Sequence, residues 1–169
     1  MQALKLFFCK NLSKNKNYED FFKSPFFLGL TIGIPFCIFK LLFGLAALRT
    51  GEDGSIFLFK IFGFLIIIWA VTDILMNAGR IILNAAGRED FFDYCTLAQA
   101  GRIFGIPFVF LAFDTMLSFL IICFMLWSGW IAQLNTGESY LWYFATTLNL
   151  LSLSFVSLYT EIMRVSKKN

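Results

Sequence analysis

Four long apolar blocks, separated by short polar breaks, organise this chain. They run over residues 26–48, 56–78, 103–132 and 140–163. Each reaches the ~20 residues a helix needs to cross the hydrocarbon core of a bilayer. Ser24 and Pro25 form a helix start, with serine as cap and proline at the first helical position. The run Arg49-Thr50-Gly51-Glu52-Asp53-Gly54 makes a first short turn, and Asn135-Thr136-Gly137-Glu138 a second. Between them, the pattern of the second block continues to about Ala86, where Gly87 can stop it. A polar connection with Arg88, Glu89, Asp90, Asp93 and Arg102 follows.

The expected organisation is therefore an all-α integral membrane protein with four spans in two tandem helical hairpins. Residues 1–23 form a basic, interfacial leader, 24–86 the first hairpin, 87–102 a connection, and 103–169 the second hairpin with a short basic tail. No cleavable signal peptide is evident, and the first block has the character of a retained span.

Charge distribution gives the expected orientation. Of the 14 Lys and Arg, five lie in the leader, three in residues 80–102 and three in the tail, whereas Arg49 alone lies in a turn on the other side. By the positive-inside rule both termini are cytoplasmic, and the expected location is a bacterial inner membrane. Trp127, Trp130, Tyr140, Trp142 and Tyr143 flank the second turn, where amphipathic rings favour a membrane boundary.

One phrase occurs twice. Gly33-Ile34-Pro35-Phe36 returns as Gly105-Ile106-Pro107-Phe108, and with Gly29 and Gly101 each copy extends to G-x-x-x-G-I-P-F. Glu19-Asp20-Phe21-Phe22 matches Glu89-Asp90-Phe91-Phe92, Thr50-Gly51-Glu52 matches Thr136-Gly137-Glu138, and Thr72-Asp73-Ile74 matches Thr160-Glu161-Ile162. The common order implies a parallel internal duplication, with a pseudo-twofold axis along the membrane normal. Pro35 and Pro107 are expected to kink spans one and three. Gly29, Gly33, Gly101 and Gly105 are expected to let these helices cross each other closely, or cross copies in an oligomer. The two acid-Phe-Phe segments suit interfacial anchors.

Composition narrows the chemistry. The chain is 59% hydrophobic and 15% charged, against about 25% charged in an ordinary soluble domain. It has no histidine, which removes the usual metal ligand and neutral-pH base. Cys9, Cys37, Cys95 and Cys123 show neither a CxxC pair nor a framework spacing. No nucleotide-binding loop, nucleophile–base pair, metal site or cofactor site is expected, and no nucleic-acid partner.

Charges inside the spans are the main functional pointers. Lys40 and Asp114 fall at nearly equal depth in the repeat frame, within about 3 Å at 1.5 Å per residue. Helical phase opposes their pairing. Lys40 is seven residues after Gly33, on the glycine face, whereas Asp114 is nine after Gly105 and points the other way at ~100° per residue. Lys40 snorkelling, or Asp114 bonding Ser118 or staying protonated, are the alternatives. Asp73, Asn77, Arg80 and Asn84 form one polar stripe in span two; Ser154, Ser157, Glu161, Arg164 and Lys168 form another in span four. These stripes are expected to face each other or a vestibule, and Lys60 to snorkel at the outer start of span two.

The leading expectation for function is a non-enzymatic accessory, structural or assembly subunit of a membrane complex. Its partners would be the lipid bilayer and other membrane subunits or further copies. The alternative is a small oligomeric transporter or channel using Lys40, Asp73, Asp114 and Glu161. A lipid-active membrane enzyme is a third, weaker reading, because no dense polar cluster accompanies the missing histidine.

Overall fold

The computed structural model describes residues 27, 29–52, 57–85 and 95–168. The leader, Ser24 and Pro25, both acid-Phe-Phe segments and Gly87 lie outside them. Among the described residues every element is helical. A π-helical turn, Gly29–Gly33, leads directly into α1, Ile34–Glu52. Next come α2, Phe57–Ala85, the short α3, Thr96–Ile103, and α4, Pro107–Trp127. A 3-10 turn, Trp130–Gln133, then precedes α5, Thr136–Lys168. Four stretches are long and apolar enough to cross a membrane: Gly29–Gly51, Phe57–Leu83, Pro107–Trp127 and Thr136–Ile162.

The first of these is the hub. Its span is 61% buried, against 22% for each of the other three. The core accordingly gathers Phe36, Phe39, Leu42, Phe43 and Ala46 of α1 with Ile121 and Met125 of α4, and Trp142 and Ala145 of α5. Phe39 meets Trp142 edge-on at 4.9 Å, and Phe36 meets Phe119 at 5.3 Å. Both α4 and α5 pack on α1 more than on each other. The outward faces of α2, α4 and α5 expose Leu, Ile and Phe, as helices facing lipid do. The two sequence-matched hairpins thus hold unequal positions, with one first helix central and the other peripheral.

Glycine sets the α1–α2 contact, though mostly not the glycines of the repeated phrase. A Cβ at Gly44 would stand 2.8 Å from Ile67 Cγ1, and one at Gly63 only 2.7 Å from the Leu48 nitrogen and 2.8 Å from the Gly44 carbonyl oxygen. The two backbones therefore touch, a contact that any side chain would prevent. Of the repeated phrase, Gly33 does make a close contact: a Cβ there would lie 2.5 Å from Asn77 Oδ1, and one at Gly29 3.5 Å from Ile81 Cγ1. The partner helix is α2, however, and not span three as expected.

The second copy of the phrase does something different. Span three does not begin at 103; α3 ends there, and Gly105 takes φ +73° beyond its cap residue, Phe104. The Ile106 amide donates to the Gly101 carbonyl at 2.9 Å, and the Gly105 amide to that of Arg102 at 3.0 Å. This pair of hydrogen bonds is a Schellman stop, in which glycine takes the left-handed position. Pro107 is then the first residue of α4, where its missing N–H costs nothing. It starts a helix instead of kinking one. Gly101 serves the fold-back, because a Cβ there would lie 2.8 Å from Phe110 Cβ, and nothing lies within 4 Å of a Cβ at Gly105. Neither glycine lies on a crossing between spans one and three. Pro35, by contrast, is fully buried within a continuous span, and the wider π turn stands immediately before it.

Candidate functional site: a buried charge triad beside a cavity

Three charged side chains meet inside the bundle. Lys40 Nζ of α1 donates to Asp73 Oδ2 of α2 at 2.8 Å and to Asp114 Oδ1 of α4 at 2.6 Å. The lysine side chain is 1% exposed and the carboxylates 0% and 7%. The ammonium also lies 4.2 Å from the centre of the Trp69 ring, within cation–π range. Lys40 therefore does not snorkel.

Each helix delivers its charge for a local reason. The antiparallel α1–α2 contact sets Gly51 against Lys60, Gly44 against Gly63 and Ile67, and Gly33 against Asn77. Lys40, between Gly44 and Gly33, must then face the stretch between Ile67 and Asn77, which contains Trp69 and Asp73. Asp114 comes from α4, which packs on α1. The phase objection to its pairing fails because it assumes one unbroken helix through Gly105. The stop at residues 104–106 resets the phase of everything after it. Ser118 does bond Asp114, but through the backbone: its Oγ donates to the Asp114 carbonyl at 2.9 Å.

The short helix α3 completes the site. Thr96 donates twice to Asp73 Oδ1, from its amide at 2.7 Å and from its hydroxyl at 2.5 Å. Cys95 caps α3, its sulfur accepting from the Ala98 amide at 3.4 Å. Burial, with the Asp114 carboxylate close by, pushes the Cys95 thiol up to about 12. Asn77 donates to the Asp73 carbonyl at 2.9 Å, one turn along α2.

Beside the triad is a cavity of about 200 Å³. Lys40, Asp73, Asp114, Asn77, Cys95 and Thr115 supply its polar lining, with Phe36 and Leu111 among the apolar residues. Among the described residues no three Cys, Asp or Glu side chains are placed so that they could hold a metal ion.

The two polar stripes do not face each other. Asp73, Asn77 and Arg80 are buried, whereas Ser154, Ser157, Glu161 and Arg164 are exposed on α5. Glu161 pairs with Arg164 at 3.7 Å, both more than half exposed, and stands outside the triad. The buried polar residues of α5 are Asn149 and Ser152, and the Ser152 hydroxyl donates to that of Thr31 at 2.7 Å. Lys60 is exposed, as expected of a snorkelling residue.

A second ionic contact lies at the Arg49 end of the bundle. Arg49 forms a forked pair with Glu138, one bond being 2.8 Å, and also donates to the Gln133 carbonyl. Glu138 in turn accepts from the Asn135 amide at 3.0 Å while Asn135 Oδ1 accepts from the Glu138 amide at 2.9 Å. That reciprocal capping box starts α5 and ties it to the end of α1.

Comparisons of the chain with protein-family models, with curated proteins and with solved structures find no match in any of the three.

Proposed function

We propose that this chain is a non-enzymatic accessory, structural or assembly subunit of a membrane complex, whose ion triad holds its own helices together. The observation that carries this reading is that the triad's bonds join three helices of the same chain. Lys40 spends its charge on two carboxylates, and both oxygens of Asp73 are engaged. Glu161, the fourth charge a pathway would use, stands apart on the outer face of α5 with Arg164. A connected ion pathway has little left to use, whereas a helix lock needs only these bonds.

On this reading the outward apolar faces of α2, α4 and α5 meet lipid and neighbouring membrane subunits or further copies. The clustering of Lys and Arg supports a bacterial inner membrane with both termini in the cytoplasm. The ordered sequence matches support descent from a duplicated hairpin whose halves have since taken different packing roles, with any bend in the first span at Pro35. Purification in mild detergent followed by native mass spectrometry tests the proposal. Stoichiometric foreign subunits are expected, and a lone homo-oligomer counts against it.

One observation favours a second reading, a small transporter or channel: the 200 Å³ cavity touches all three triad residues. Proteoliposome flux with Asp114→Asn and Lys40→Met variants addresses it. Unchanged flux in both would remove a charge-based pathway.

A further inference from the structure

We propose that Asp114 is a proton-binding site, through which the triad takes up and releases one proton by way of the cavity. One ammonium and two carboxylates carry a net charge of −1 when all are ionised. Both carboxylates are buried, and an uncompensated buried charge is costly. One added positive charge makes the cluster neutral.

The two carboxylates are not equivalent. Asp73 accepts from Lys40 and twice from Thr96, so both its oxygens already face donors and it is the committed anion. Asp114 accepts one strong donor, Lys40, on Oδ1, and its further neighbour is the weak thiol donor of Cys95. It is also the more exposed carboxylate, at 7% against 0%, and it lines the cavity. The extra proton therefore belongs on Asp114.

A metal cation fits less well. Sodium or a divalent ion takes several oxygen ligands, and the cavity offers few. Both Asp73 oxygens are taken by the Lys40 and Thr96 donors, and Asn77 Oδ1 is pressed against Gly33. A proton needs only one oxygen.

The other titratable groups around Asp114 are few. α1 contributes Lys40 and Cys37, α2 contributes Asp73 with Arg80 two turns further along, and α3 carries Cys95 at its start and Arg102 in its last turn. α5 carries its own near the ends of its span: Glu138, Tyr140 and Tyr143 at one, Tyr159, Glu161 and Arg164 at the other. Protonation has a mechanical consequence. It reduces the charge in the Lys40–Asp114 bond, leaving α4 held to α1 chiefly by ring contacts such as Phe36–Phe119 and Phe43–Phe124. The triad thereby becomes a proton-sensitive latch between the two helices, whichever function the protein serves.

Infrared difference titration of the full chain in lipid nanodiscs tests this, with aspartate carboxyl carbons labelled with ¹³C to identify the band. The expected result between about pH 5 and pH 9 is a buried carboxylic-acid C=O band that fades as pH rises. It should vanish in Asp114→Asn, shift in frequency in Asp114→Glu and remain in Cys95→Ser. A band that survives Asp114→Asn, or no such band across the range, overturns the proposal. So does a band that sodium removes at constant pH, which would make the site a metal-cation site.

Discussion

Replacing Lys40 with methionine removes the only positive charge the triad contains, while keeping the length of an unbranched side chain. Two carboxylates, 0% and 7% exposed, then face each other across the α1–α2–α4 junction. Removing one partner from a buried ion pair costs about 3–5 kcal/mol. Protonation limits the loss. Adding a proton at pH 7 to a carboxyl of ordinary value 3.9 costs about 4 kcal/mol, and at pH 5 about 1.5 kcal/mol. Lys40→Met should therefore lose about 3–5 kcal/mol near neutrality and distinctly less at pH 5. For a chain of 169 residues, a two-state transition moves about 2–4 °C per kcal/mol, so the melting temperature should drop by roughly 10 °C. Thermal unfolding in detergent, followed by fluorescence-detected size exclusion, reads this directly. The triple variant Lys40→Met/Asp73→Asn/Asp114→Asn leaves no charge in the triad and should recover most of the loss. The reasoning fails if Lys40→Met melts within about 2 °C of the wild type, or if its deficit grows as pH falls. It also fails if the triple variant is less stable than the single one.

Other consequences can be checked separately. Gly63→Leu should destabilise by more than about 3 kcal/mol, because its side chain must force touching backbones apart; Gly79→Ala, where nothing lies within 4 Å, should change melting little. Gly105→Ala forces a Cβ into φ +73° and should cost about 1 kcal/mol in the same assay, without the steric penalty expected at Gly101. Glu138→Ala removes both the capping box and the Arg49 pair and should cost about 1–2 kcal/mol, with amide exchange rising first in the opening turn of α5. With Cys95 as the sole cysteine, maleimide labelling at pH 8 should be very slow. For a thiol at about 12, only about one molecule in 10⁴ is thiolate there, and labelling should speed up as pH rises.

The span count is legible in the sequence because bilayer thickness imposes a length of apolar chain that no local detail overrides. The expected spans over 56–78 and 140–163 fall within helices Phe57–Ala85 and Thr136–Lys168 apart from Ile56. The meeting of Lys40 and Asp114 is half legible: depth brings them level, and phase argues against them. Phase misleads because Gly-x-x-x-Gly followed by Ile-Pro reads equally well as a packing stripe or as a helix stop. Only the surroundings choose between these, a continuous buried helix for Pro35 and a fold-back for Pro107. Polar patterning alone puts Asp73 in a stripe at the far end of span two, although hairpin register contains its true place. If Gly51 faces Lys60, Lys40 must face Trp69 and Asp73. Gly44 and Gly63 carry the same register signal, but no repeated phrase marks them. Thr96 has no visible signal, since its role depends on where the 87–102 connection passes relative to α2.

One lysine within the first span holds two carboxylates from two other helices. Solid-state NMR of the chain in bilayers at pH 8, labelled with ¹⁵N on lysine side chains and ¹³C on aspartate carboxyls, measures that contact itself. One lysine amine, lost in Lys40→Met, should show strong dipolar coupling to two carboxyl carbons. One coupling should disappear in Asp73→Asn and the other in Asp114→Asn. A Lys40 amine that couples to a single carboxyl in the wild type, or to none, would contradict this arrangement.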